Sequence, residues 1–142
     1  MKHLKPYTLF ERVSKETKLF EDSHEEIMSI IYGVNVIKEC DSIIEDIKDM
    51  LLELGDIGLN PSVGYTAMTL TYREKTPKIV VDVQGDLELC ESNEDEINSV
   101  FERIKDYTKP KGYVTGFGSW QRDIHGAGGR MFYRTYQMLI QK

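Results

Sequence analysis

Apolar side chains recur at spacings of three and four along DSIIEDIKDMLLELGDIG. Ile43, Ile47, Met50, Leu51 and Leu54 share one face, and Glu45, Asp46, Lys48, Asp49 and Glu53 share the other. That period predicts a helix, with Ser42 and Glu45 as a capping box at its start and Gly55 or Gly58 as its left-handed stop. The period returns after Asn93, where Ile97, Val100, Phe101, Ile104 and Tyr107 form a second stripe. Asn93 and Glu96 cap that start, acids fill the first turn in line with the helix dipole, and Pro110 and Gly112 end it. Upstream, Ser23 with Glu26 and the series Ile27, Ile30, Ile31, Val34, Ile37 predict a further helix. Gly33 weakens it, and Val34 and Val36 leave a strand open after it.

Between and after these helices the period shortens to two. Val63–Arg73 and Lys78–Gln84 read as an antiparallel hairpin around a turn at Glu74–Pro77, and Leu87–Cys90 as a short third strand. Near the C-terminus GYVTGF reads as a short strand, a loop runs from about Gly118 to Gly129, and RMFYRTYQMLIQ makes a long final strand. Two similar halves emerge, 41–84 and 93–142, each a helix laid on a hairpin. The expected fold is α+β: a two-layer sandwich with helices on one face of an antiparallel sheet of four or five strands, in the order α-β-β-α-β-β. Residues 1–22 show no clean period and are expected to form an N-terminal arm, either a short helix or a poorly ordered extension, ahead of a single domain over 23–142.

Length and composition fit that picture: 142 residues, 40% hydrophobic and 30% charged, suit one globular domain. The best apolar run, Ile27 to Ile37, is broken by Ser29, Gly33 and Asn35, so no membrane span is expected. MKHLKPYTLFER lacks the apolar core of a secretory signal. Cys40 and Cys90 lie far apart without metal-ligand spacing, which suits buried thiols in a reducing, cytoplasmic setting. Charge is uneven. From Arg103 onward eight Lys/Arg oppose Asp106 and Asp123, a local +6, so the first 102 residues carry −12 of a total −6. An acidic body disfavours double-stranded DNA as a partner. Its basic end suits a small anion.

The candidate chemistry is concentrated in GYVTGFGSWQRDIHGAGGRMFYR, Gly112 to Arg134. Its glycines match neither G-x-G-x-x-G nor G-x-x-x-x-G-K-[ST], and the stretch leads into a strand where a phosphate loop opens a helix. What remains is Trp120, Arg122, Asp123 and His125, with Arg130 and Arg134 on the exit strand. An aspartate beside a histidine can orient an imidazole, arginines can hold an anion, and Trp120 can stack on a ring. Tyr133 and Tyr136 fall on opposite faces of the last strand. Aromatics on an open sheet face can stack bases or anchor a protein partner or a second copy. The chain contains no G-x-S-x-G elbow and no H-E-x-x-H. Asp82, Asp86 and Glu88 read as a solvated sheet face more readily than as a cation site. No cofactor or metal is implied.

Two stretches carry a resemblance. The opening MKHLKPYTLFE and the segment IEDIKDMLLELGDIGLNPSV resemble small uncharacterised proteins of tailed bacteriophages, T-even-like and marine ones in particular. Leu9–Phe10–Glu11 is similar to the Leu-x-Glu site at which leaders of internal head proteins are cut. The resemblance implies an accessory protein of the host cytoplasm or the virion, and it carries over no particular activity. With no assembled catalytic motif, an acidic body and an aromatic sheet, the leading expectation is a non-enzymatic phage-type accessory protein that binds a host or viral macromolecule. The alternative is a nucleotide- or small-anion-binding protein using the basic glycine-rich stretch, and the weakest is a small hydrolase built on Asp123 and His125.

Overall fold

A computed structural model describes residues 26–66, 76–126 and 128–142. The leader site at Leu9–Glu11, the cap at Ser23 and most of the expected strand Val63–Arg73 lie outside those residues. By contact the chain divides into Met1–Ile37 and Lys38–Lys142.

In the first unit, residues 26–32 are helical and the run breaks at Gly33, whose φ is 96°. The helix resumes at once as α1, Val34–Ile57, so the strand left open at Val34–Val36 does not form. The break also disrupts the expected stripe: Ile30 is 78% exposed and Ile27, Ile31 and Val34 are exposed too, while Ile37 is buried as expected and Met28, outside the stripe, is buried with it. A left-handed residue rotates one helical segment against the next, so a period of 3.6 no longer runs through it.

The second unit holds the sheet. α1 passes through Ser42 without a start, because a Ser-x-x-Glu pattern caps only where the backbone leaves the helical region. Its buried stripe is Ile43, Ile44, Ile47, Leu51 and Leu54, each side chain contributing about 1.5–3 kcal/mol on full burial. α1 ends in a Schellman turn: Gly58 N–H donates to Gly55 O, Leu59 N–H donates to Leu54 O, and Gly58 takes φ 105°. The reversal feeds β1 (Asn60–Tyr65), which pairs antiparallel with β2 (Ile79–Asp86).

The expected third strand at Leu87–Cys90 is instead a short helix, α2 (Leu87–Ser92). Four alternating residues are too few to separate a period of two from a turn of helix that buries one side chain, here Cys90. α3 (Glu94–Thr108) follows, with Glu94, Asp95 and Glu96 in its first turn and Lys105 in its last. Asn93 stands at its cap position but does not cap it. Its side-chain amide donates backwards to Leu89 O at 2.9 Å. Ile97, Val100, Phe101 and Ile104 are buried as expected, but Thr108 replaces Tyr107 at the end of the stripe. A 3-10 turn, Lys109–Lys111, and Gly112 at φ 91° end it.

The last two strands are β3 (Val114–Gly126) and β4 (Gly129–Gln141). The sheet is four-stranded and antiparallel, in the order β1-β2-β4-β3. Each α-β-β half contributes a hairpin, and the halves meet through their second strands, Ile79↔Ile140 to Asp86↔Tyr133. Ile79, Val81, Val83, Tyr136, Met138 and Ile140 are buried on the face that the helices cover. Phe117 on that face meets Phe101 of α3 with ring centroids 5.7 Å apart. The fold is α+β, with its helices on one face of one open sheet. Among the described residues no helix is long and apolar enough to cross a membrane.

Candidate functional site

The expected loop from Gly118 to Gly129 is strand for most of its length. β3 runs on to Gly126, which pairs with Gly129 at the start of β4. Glycine density suggested a breaker, yet of the glycines in β3 and β4 only Gly129 has a positive φ, 106°. Gly116 and Gly118 take ordinary strand backbone with open space beside them. Trp120, Arg122 and Ile124 face Thr135, Tyr133 and Met131 across the ladder, pairs rich in the side chains that suit a pleated sheet.

Pairing splits the candidate residues between two faces, because successive strand residues point to opposite sides. β2 ends opposite Tyr133, so beyond that point β3 and β4 continue as a two-stranded ribbon. The inner side of the whole hairpin, continuous with the helix-covered face, bears Asp123, His125, Arg130, Phe132, Arg134 and Tyr136, the last two beside β2. The outer side bears Trp120, Arg122, Ile124, Met131 and Tyr133.

On the inner side Arg130 Nη2 donates to Asp123 Oδ2 at 2.6 Å, and its guanidinium sits 4.9 Å from the centre of the Phe132 ring. Asp123 is thus engaged by an arginine and does not orient His125, the arrangement a hydrolytic dyad needs. Arg134 lies over Tyr136 at 5.3 Å. Four residues along a strand separate Arg130 from Arg134 by about 13 Å, and Arg122 points away from both. The three arginines therefore do not converge on one anion. Tyr136 is buried, and its hydroxyl has no hydrogen-bond partner among the described residues. Burial pushes its pKa up, so the hydroxyl keeps its proton.

On the outer side Trp120 is 42% exposed, and Ile124, Met131, Val114 and Leu139 are exposed on the same face. Tyr133 joins them, its hydroxyl 3.8 Å from Met131 Sδ. Asp82, one of the three alternating carboxylates, accepts a hydrogen bond from Gln137 Nε2 at 3.0 Å. Among the described residues no group of three His, Cys, Asp or Glu side chains is arranged to hold a metal ion.

One feature escaped the sequence reading. A groove of about 420 Å³ runs between α3 and β3, lined by Glu94, Asn98, Phe101 and Glu102 from the helix and by Phe117 and Tyr136 from the sheet. The helical residues recur at three, four and seven, a pattern visible in the sequence. What it faces depends on where β3 lies, and the sequence predicts strand only as far as Phe117, with loop from Gly118 onward. Comparison of the chain with protein families, with curated proteins and with solved structures finds no match in any of the three.

Proposed function

We propose that this is a non-enzymatic binding protein that engages a protein partner through the outer face of the β3–β4 hairpin. The observation that carries the reading is the row Trp120, Ile124, Met131 and Tyr133 on the side of the sheet that none of the described helices covers. Large apolar and aromatic side chains gathered on one solvent face mark interaction surfaces, and Trp and Tyr are the side chains most often found to anchor them. The resemblance of Met1–Glu11 and Ile44–Val63 to tailed-phage proteins supports an accessory role, with a host or viral macromolecule as the partner. Small-anion binding by Trp120, Arg122, His125 and Arg130 draws less support, since those side chains lie on two faces. A hydrolase draws less still, since Asp123 is held by Arg130.

The test compares wild-type protein with the Trp120→Ala, Ile124→Lys double variant as bait in bacterial lysate, with captured proteins identified by mass spectrometry. Both side chains are exposed, so the melting temperature is expected to move by no more than a few degrees. A specific protein captured by the wild type and lost from the double variant supports the reading. Equal capture by both, or a clean monomer that turns over a small substrate, refutes it.

A further inference from the structure

The two edges of the sheet are built differently. β1 is six residues long and carries Pro61, which has no N–H to offer a neighbouring strand. β3 is thirteen residues long, contains neither proline nor lysine, and holds continuous register with β4 without a bulge. Among the described residues nothing pairs with its other side, and every residue from Gly116 to Gly126 is exposed. Proteins ordinarily blunt a free edge with short strands, charges, proline or bulges, because its unpaired N–H and C=O groups template another strand. β1 is protected in that way, whereas β3 carries charge only at Arg122 and Asp123, and its first eight residues, Val114–Gln121, carry none.

The α3–β3 groove runs beside this open edge. Its floor is aromatic, with Phe101, Phe117 and Tyr136, and its helical rim is acidic, with Glu94 and Glu102. Tyr136 is 6% exposed, and its hydroxyl is the groove's one polar atom that is buried without a partner among the described residues. A buried hydroxyl left unpaired is uncommon enough in folded proteins to point to a missing partner.

We propose that β3 takes an extended segment of a partner protein as an added strand, with basic side chains at the positions facing the helices and apolar ones at the positions facing out. Main-chain hydrogen bonds to the β3 edge supply affinity, and alternate side chains supply selectivity. An inward lysine or arginine lays its stem along Phe117 and Phe101 and brings its charge to Glu94 or Glu102. Outward apolar residues extend the row that contains Val114, Trp120 and Ile124. A second copy of this chain fits less well. Pairing β3 with β3 brings two acidic α3 rims to one junction, on subunits that each carry −6. The inference rests on the reading of the protein as a binding module, but uses a different surface.

The experiment uses the full chain and two short synthetic peptides, one alternating lysine with valine and the other glutamate with valine. Fluorescence polarisation measures binding, and amide hydrogen exchange locates it. The lysine peptide is expected to bind and to slow exchange within Val114–Gly126, while the glutamate peptide does not bind. The exposed double variant Glu94→Lys, Glu102→Lys, with its fold checked by circular dichroism, is expected to bind the lysine peptide about tenfold more weakly, a loss of about 1.4 kcal/mol. Equal binding of both peptides, unchanged affinity in the charge-reversed variant, protection outside β3, or a peptide-free dimer protected along β3 overturns the proposal. If neither peptide binds while lysate capture still depends on Trp120 and Ile124, strand addition fails and the outer-face reading stands.

Discussion

Gly58 and Gly118 offer the same substitution with opposite expected results. Gly58 closes the Schellman turn at φ 105°, and a Cβ there would lie 3.6 Å from Leu89 Cδ2, an ordinary contact. Sterics with the surroundings therefore add nothing, and the cost of Gly58→Ala is backbone strain. A residue with a Cβ held at such a φ loses about 1–3 kcal/mol, against which alanine recovers about 0.4–1 kcal/mol by narrowing the unfolded ensemble. A net destabilisation of about 1–2 kcal/mol is expected, roughly 3–8 °C in melting temperature for a chain of this size. Gly118→Ala meets nothing within 4 Å and needs no positive φ, so it is expected to be neutral or to stabilise by up to about 1 kcal/mol. Urea unfolding followed by far-ultraviolet circular dichroism measures both on one scale. Equal effects at the two glycines, or a loss below about 0.3 kcal/mol at Gly58, would refute the assignment of the α1 stop to backbone conformation.

Two further substitutions test the charged and hydroxyl contacts. Arg130→Ala removes an exposed ion pair with Asp123 and is expected to cost less than about 1 kcal/mol in thermal unfolding at moderate salt; a larger loss would mean that the ribbon depends on this pair. Tyr107 donates to Asp46 Oδ2, and its pKa is pushed up to about 12, first by burial and then by that carboxylate. Folding thus favours its protonated form, a contribution complete below pH 10 that fades between pH 10 and about 12. Tyr107→Phe should flatten the alkaline loss of stability in that window, read from urea midpoints at a series of pH values, and an unchanged slope would remove the assignment.

Where a stripe ran uninterrupted over several turns, as at Ile43–Leu54 and Ile97–Ile104, its period identified both the helix and its buried face. Reading failed where composition stood in for geometry. Gly118–Gly129 looked like a loop because glycine is a common breaker, but a paired strand accepts glycine wherever a neighbour supplies the ladder. Leu87–Cys90 alternated for too few residues to exclude a helix. The candidate side chains of the C-terminal stretch were found, but their division between two faces was not, since a loop has no parity and a strand does. The groove was hidden for the same reason. Its helical half was legible as Glu94, Asn98, Phe101 and Glu102, and its other half existed only once β3 was known to be an edge.

Cys40 and Cys90 give the molecule two internal clocks. Both thiols are free and fully buried, and burial pushes both pKa values up. Cys40 Sγ lies 3.6 Å from the Tyr113 hydroxyl, between α1 and the approach to β3, and Cys90 Sγ donates to Arg134 O, between α2 and β4. Neither can meet a thiol reagent until the structure around it opens. The two labelling rates therefore report separately how often the α1 side and the ribbon side of the sheet come apart, with no probe added to the chain.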